Sequence, residues 1–194
     1  MLNSILMIGC GNMGGAMLAG WLAGGVAGAM NPGRFTVVDP VLSAAPAGVT
    51  LWRGLAELPD DVRFDAVVLG VKPQMLGDIA ADVARVLDPQ TLVLSILAGV
   101  ELATLAARFP DAAGYVRIMP NLAAALGKSP VALVGLGVGG GVDGAAREAV
   151  TGLMQPLGTP EWLEDEGLFD AVTALAGSGP AFVYRFISAL AQGG

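Results

Sequence analysis

Six runs of the chain are apolar at almost every position: residues 4–8 (SILMI), 35–39 (FTVVD), 65–71 (DAVVLGV), 91–96 (TLVLSI), 115–119 (YVRIM) and 131–135 (VALVG). A strand with one wet face alternates polar and apolar residues. A strand that is apolar throughout must be covered on both faces, as in a parallel sheet between helices. The stretches between these runs have a longer period. Met75, Leu76, Ile79, Val83, Val86 and Leu87 recur at three- and four-residue steps, and Pro73 suits the first turn of that helix. Leu102, Leu105, Ala106 and Phe109 repeat the pattern. Strand and helix in alternation predict right-handed crossovers and a doubly wound, mostly parallel α/β sheet. From about residue 160 the alternation stops, and EDEGLFDAVTALAGSGPAFVYRFISALAQGG reads as helices with no further strand. One domain is therefore expected over residues 1–162, and the beginning of a second, all-helical one over 163–194.

Composition narrows what such a fold could do. A length of 194 residues suits one full domain and part of another. With 54% hydrophobic and 14% charged residues the chain has apolar surface to spare, which predicts a subunit interface. The net charge of −7, with no basic stripe, argues against nucleic acid. An anionic ligand would have to be held by backbone N–H groups and helix ends. The lone Cys10 forms no internal disulfide and no secretory signal is evident, so the cytoplasm is expected. Residues 129–142 are too short and glycine-rich to span a membrane. Residues 170–194 are interrupted by Asp170, Pro180 and Arg185, so both segments are expected to be buried in a soluble protein. With no histidine and one thiol, no metal site is expected, and proton transfer by imidazole is excluded.

The strongest local signal follows the first apolar run. Gly9, Gly11 and Gly14 take the spacing G-x-G-x-x-G ahead of a helix that would set Met17, Leu18, Trp21 and Leu22 against the sheet. In that setting the first glycine permits the turn, the second lets backbone approach a pyrophosphate, and the third allows close helix packing. Gly9, Cys10, Gly11, Asn12, Met13 and Gly14 are thus candidate ligands of NADH or NADPH. The alternative is a turn in a chain that holds 29 glycines. Asp39, ending the second run, is placed to accept bonds from the adenosine ribose 2′-OH and leans towards NADH. Its alternative is to cap the turn at Pro40, and Arg34 and Arg53 could contest the charge.

Four further segments put polar or small residues where strands or helices end. GVKPQ (70–74) contributes Gly70, Val71, Lys72 and Pro73; SILAGV (95–100) contributes Ile96, Leu97 and Ala98, small enough in part for a flat ring to approach; RIMPN (117–121) puts Asn121 at the start of a helix. In LAGSGPAF (175–182), Gly177, Ser178, Gly179 and Pro180 would form a helix N-terminus able to hold a carboxylate. Each also has an ordinary reading: a solvated lysine, a tight turn, an N-cap, a helix corner. A hydride acceptor already short of electrons, such as a protonated imine, would need no strong side-chain acid and leaves no oxyanion behind.

Taken together, IGCGNMGGAM, GVKPQML, SILAGVELATL, RIMPNLAAALGKS and LFDAVTALAGSGPAFVYRFISALA resemble pyrroline-5-carboxylate reductases, in order along nearly the whole chain. The resemblance implies a Rossmann-type domain followed by the beginning of an all-helical dimerisation domain. It implies reduction of 1-pyrroline-5-carboxylate to L-proline by hydride from NADPH or NADH, the last step of proline biosynthesis, in a self-associating protein. By position it places the Gly9–Gly14 loop on the pyrophosphate, Val71, Lys72 and Pro73 beside ribose, and Ile96, Leu97 and Ala98 beside nicotinamide. Asn121, Glu166 and Thr173 fall around the nicotinamide and imine as candidate catalytic residues. Where the family has Thr-Pro after MPN, this chain has Leu122 and Ala123. The family's further helices, with their Ser-Pro-Gly-Gly-Thr-Thr segment, are expected to be missing, so that the chain reads as a truncated form. A related carbonyl reductase of the β-hydroxyacid dehydrogenase-like group, or a dinucleotide-binding module without turnover, are the competing expectations.

Overall fold

The computed structural model describes residues 2–24, 28–137 and 142–193. Eight strands form one sheet: β1 (Ile5–Ile8), β2 (Phe35–Val38), β3 (Thr50–Trp52), β4 (Ala66–Leu69), β5 (Leu92–Ser95), β6 (Gly114–Met119), β7 (Ser129–Gly137) and β8 (Gly158–Trp162). Their order is β3-β2-β1-β4-β5-β6-β7-β8. Every neighbouring pair is parallel except β6 and β7. The helices are α1 (Asn12–Ala23), α2 (Leu76–Arg85), α3 (Leu102–Arg108), α4 (Gly144–Met154), α5 (Phe169–Val172) and α6 (Gly179–Gly193). The expected doubly wound sheet followed by helical chain is what the molecule forms.

The apolar runs are covered on both faces, as their pattern demands. From β1, Leu6 and Ile8 point into one core layer with Val83, Leu105 and Phe109. Ile5 and Met7 point into the other, with Met17, Trp21 and Leu153. Trp21 stacks on Phe35 with centroids 5.1 Å apart, and its Nε1 donates to the Leu153 carbonyl at 2.7 Å. The buried indole thereby satisfies its one polar atom.

Two strands have no apolar run to announce them. β3 is three residues long, and β8 (GTPEW) carries Pro160 and alternates exposed with half-buried residues. Both are edge strands, where one face of hydrogen-bonding groups needs no partner and proline is tolerated.

The expectation that residues 170–194 are buried is wrong. Along the described part of this segment Leu175, Phe182, Val183, Tyr184, Phe186, Ile187 and Leu190 are each more than half exposed. A helix can carry an apolar face that no described residue covers, and α6 has no buried residue. Among the described residues no helix is long and apolar enough to cross a membrane.

β1 lies between β2 and β4, so the chain leaves it in one direction and later returns on its other side. In such sheets the crevice at the carboxyl ends of the strands flanking this switch point receives ligands. Gly9 follows β1 and Gly70 follows β4.

Candidate functional site

The two loops at the switch point touch through backbone alone. Gly9 has φ +88°, and a Cβ there would lie 2.8 Å from the carbonyl of Gly70 and the nitrogen of Val71. A Cβ on Gly14 would lie 2.6 Å from the Gly9 carbonyl oxygen. At Gly11 a Cβ meets nothing within 4 Å, so this glycine is not required by the chain's own packing. Gly11 is the N-cap of α1, with no side chain accepting from the first turn and no acidic residue in it. Uncapped N–H groups and the positive end of the helix dipole together form an anion site. Gly9 and Gly14 thus shape the loop, while Gly11, Asn12 and Met13 open its rim to solvent or lie part-way to it.

Asp39 does not lie open beside this loop. It is 9% exposed, its Oδ2 accepts from Cys10 N–H at 2.7 Å, and its Oδ1 accepts from Val41 and Leu42 N–H, each at 2.8 Å. Burial alone would raise the pKa of this carboxyl. The three N–H groups, with the Arg53 charge nearby, outweigh it and hold the pKa below the ordinary carboxylate value. Burial and the Asp39 charge push the Cys10 thiol up, so it stays protonated near neutrality. The capping alternative for Asp39 is therefore realised, and it adds a tether between the second strand and the glycine loop. The two arginines part company. Arg34 precedes β2, at the opposite end of that strand, and lines a cavity of about 460 Å³ with Leu2, Met30 and residues of α4. Arg53 follows β3, and its Nη1 and Nη2 donate to the carbonyls of Leu42 and Ser43.

The other strand ends gather beside the crevice. Gly70 N–H donates to Ile8 O at 2.8 Å, and Lys72 is an exposed N-cap to a 3-10 turn over Pro73–Met75. Val71 packs on the core below. Ile96 N–H donates to Leu69 O at 3.1 Å, Leu97 is buried, and Ala98 is exposed next to Gly99 at φ +71°.

The C-terminal segment meets these loops in a way the sequence hid. Residues 173–178 are a π-helical stretch joining α5 to α6, so the chain is helical from Phe169 to Gly193. The expectation of a helix N-terminus at Gly177, Ser178, Gly179 and Pro180, with the N–H groups of Gly177 and Gly179 free, is corrected: the helix runs through this stretch and Gly179 N–H is already spent on Leu175 O. Pro180 has no N–H for the carbonyl of Ala176, four residues back. That carbonyl accepts instead from Asn121 Nδ2 at 3.1 Å, while Asn121 Oδ1 accepts from Ala123 N–H at 2.9 Å to cap a 3-10 turn over Leu122–Leu126. Gly177 faces Met119, at the end of β6. Asn121, expected as a catalytic residue, uses one Nδ2 hydrogen and its Oδ1 to hold helix to sheet. We expect Asn121→Ala to lower unfolding free energy by about 2 kcal/mol, from a lost cap and an orphaned carbonyl. Asn121→Asp should recover only the cap. Urea denaturation measures both, and equal stability of the Asp variant and wild type would show that the Ala176 bond contributes nothing.

Glu166 is engaged through one of its two oxygens. Its Oε1 accepts from Arg117 Nη1 at 2.6 Å and from Leu102 N–H at 2.9 Å, at the start of α3. The Arg117 guanidinium, itself buried, lies 4.2 Å from the centre of the Phe169 ring. Both bonds fall on the one oxygen, Oε1, of a side chain that is 29% exposed. Thr173 donates its hydroxyl to Phe169 O at 2.8 Å, one helical turn back, which leaves its lone pairs available. Neither Arg117 nor its partnership with Phe169 was marked in the sequence. The only signal was a lone arginine inside an apolar run, which demands a buried counter-charge. Among the described residues no cluster of three metal-ligating side chains exists.

Comparison with known proteins bears on family and fold. The pyrroline-5-carboxylate reductase dimerisation profile matches residues 166–194, and a profile described as NADP oxidoreductase, coenzyme F420-dependent, matches residues 4–99. The pyrroline-5-carboxylate reductase of Methanosarcina acetivorans is 33% identical over 191 residues, covering 98% of this chain and 69% of the relative. That of Pseudomonas aeruginosa is 34% identical over 195 residues, covering 98% and 68%. Among solved structures, a pyrroline-5-carboxylate reductase from Coxiella burnetii superposes with a TM-score of 0.82 at 25% identity, covering 98% of this chain and 70% of that one. With identity of this order along almost its whole length, the chain belongs to the pyrroline-5-carboxylate reductase family of oxidoreductases.

Proposed function

We propose that this chain binds a nicotinamide dinucleotide across the carboxyl edge of its sheet and reduces 1-pyrroline-5-carboxylate to L-proline, as the final step of proline biosynthesis. The observation that carries the reading is the bare backbone cradle. Gly9 and Gly70 meet without side chains at the switch point, under an uncapped α1 N-terminus. The residues fit the coenzyme: a pyrophosphate finds N–H donors in a protein whose net charge of −7 would otherwise repel it.

A reduced coenzyme held there would supply a hydride for the carbon of the imine protonated at nitrogen, and one further proton from solvent would complete zwitterionic proline. The chain's own work is placement. The Gly9–Gly14 loop holds the pyrophosphate, Gly70, Val71, Lys72 and Pro73 border the ribose, and Ile96, Leu97 and Ala98 border the ring. Thr173 and the face of the helix at Gly177 and Ser178 border the imine, with Asn121 and Glu166 fixing that helix against the sheet. We read residues 1–162 as the dinucleotide-binding unit and 163–194 as the start of the self-associating helical one. A cytoplasmic location goes with this reading.

Purified protein should bind NADPH or NADH and, given 1-pyrroline-5-carboxylate, consume the coenzyme and release proline one for one. Coenzyme consumed without proline would overturn the substrate assignment, and no binding of either coenzyme would overturn the whole. A second reading, a dinucleotide-binding unit without turnover, is favoured by one observation: the apolar face of α6 is left exposed among the described residues. Binding with no consumption identifies it.

A further inference from the structure

We propose that the cavity at the amino-terminal edge of the sheet is a second ligand site, and that it takes a small α-amino acid with an apolar side chain. The site lies outside the crevice assigned to the coenzyme and does not depend on that reading. Leu2 precedes β1 and Arg34 precedes β2, so the cavity sits where these strands start, whereas the glycine loop and Asp39 follow their ends. The four residues of β2 alone hold the two edges roughly 13 Å apart at about 3.3 Å per residue. The cavity volume is about 460 Å³, ample for a small molecule. Its walls are tied down. Met30 N–H donates to Trp21 O at 2.9 Å, and Asn31 Oδ1 accepts from Gly33 N–H at 2.9 Å to cap the turn that ends in Arg34. Leu153, on the opposite wall, takes the buried Trp21 indole N–H on its carbonyl.

Two charges of opposite sign line this space without meeting. Arg34 Nε is buried with no hydrogen-bond partner, and among the described residues its guanidinium forms no ion pair. Glu148, exposed on α4, pairs with no cation among them either. A buried guanidinium nitrogen without a partner has lost its water and gained nothing, a cost that a bound acceptor removes. The α4 wall supplies the room. Ala145, Ala149 and Gly152 line it with little or no side chain. Among the described residues a Cβ on Gly152 meets nothing within 4 Å beyond its chain neighbours and its own helix backbone. Glycine is the poorest helix former after proline, and no packing contact calls for it here. An α-amino acid answers every feature at once. Its carboxylate matches the planar fork of Arg34, its ammonium meets Glu148, and an apolar side chain lies against Leu2, Met30 and Leu153. A simple carboxylate would be repelled by Glu148, and a simple amine by Arg34.

The test is calorimetric titration of the full chain, without coenzyme, with L-leucine and L-phenylalanine. The deaminated acid 4-methylpentanoate and the amine 3-methylbutylamine serve as controls that keep the apolar body of leucine and one of its charges. At least one of the two amino acids should bind, one molecule per chain, with a Kd below about 1 mM, and each control at least about tenfold more weakly than leucine, the scale of one charge-assisted contact. Arg34→Gln should weaken amino-acid binding at least about tenfold and leave the melting temperature unchanged, since the guanidinium has no partner in the fold to lose. Glu148→Gln should bring leucine and 4-methylpentanoate to within about threefold of each other. Both variants should keep the wild-type affinity for NADPH and NADH to within about twofold, because neither residue borders the crevice. No binding of either amino acid up to about 10 mM, or binding that survives Arg34→Gln, overturns the proposal. A loss of coenzyme affinity alongside amino-acid affinity in Arg34→Gln overturns it too, because the change then acts through the fold. Wild-type coenzyme titrations report on the dinucleotide reading separately, so the two fail independently.

Discussion

Replacing Gly9 by alanine is expected to cost this protein its dinucleotide binding and a large part of its stability at once. The added Cβ must occupy space 2.8 Å from three backbone atoms of the Gly70–Val71 turn, at a φ of +88° that an L side chain rarely adopts. Neither atom set is the end of a flexible side chain, so the two loops must separate. Strain of this kind costs about 1–3 kcal/mol for the backbone angle, before the clash is counted. Separation also moves the α1 N-terminus away from the turn it faces, and affinity for NADPH or NADH should fall by at least about a hundredfold. Gly11→Ala is the informative contrast. Among the described residues no atom beyond its chain neighbours and its own helix backbone lies within 4 Å of its Cβ, so melting temperature should stay close to wild type while affinity still drops. Calorimetric titration and thermal melts on the two variants separate fold from ligand. Equal affinity of Gly11→Ala and wild type would mean that the pyrophosphate lies elsewhere.

The second large effect is expected from Glu166→Ala. Arg117 has 5% of its side chain exposed and its Nε already has no hydrogen-bond partner, so Glu166 is its only counter-charge among the described residues. Removing the carboxylate strands a buried guanidinium, which costs about 3–5 kcal/mol. For a chain of this size that is a melting-point loss of roughly 10 °C. The reverse change, Arg117→Met, should cost less, because Glu166 is 29% exposed and keeps its bond from Leu102 N–H. The double variant Arg117→Met with Glu166→Leu should recover most of the loss, as a hydrophobic replacement of a buried pair often does. A Glu166→Ala variant within about 1 kcal/mol of wild type would show that solvent already compensates this arginine.

These two sites mark where reading the sequence succeeds and where it fails. The β1 run and the glycines after it are legible because each signal is local: continuous apolarity means two covered faces, and glycine spacing matches one turn geometry. Their meeting with Gly70 follows from strand order, which the alternation of strand and helix already implies. Asp39 and Asn121 are read correctly as polar residues at strand or helix ends, and Glu166 is marked through the resemblance alone, yet their partners lie 29, 55 and 49 residues away in Cys10, Ala176 and Arg117. No local pattern states whether a carboxylate is spent on its own chain or kept for a ligand. β3 and β8 escape notice for a different reason. Edge strands need neither length nor continuous apolarity, so GTPEW looks like a loop until β7 pairs with it.

The proline at position 180 does its work by what it lacks. By freeing the Ala176 carbonyl for Asn121 it keys the terminal helix to the sheet in one rotational phase, since a slip of a single residue would swing that carbonyl out of reach of the Asn121 amide. A ring with no hydrogen to give thereby sets the angular register between two parts of the molecule that share no strand.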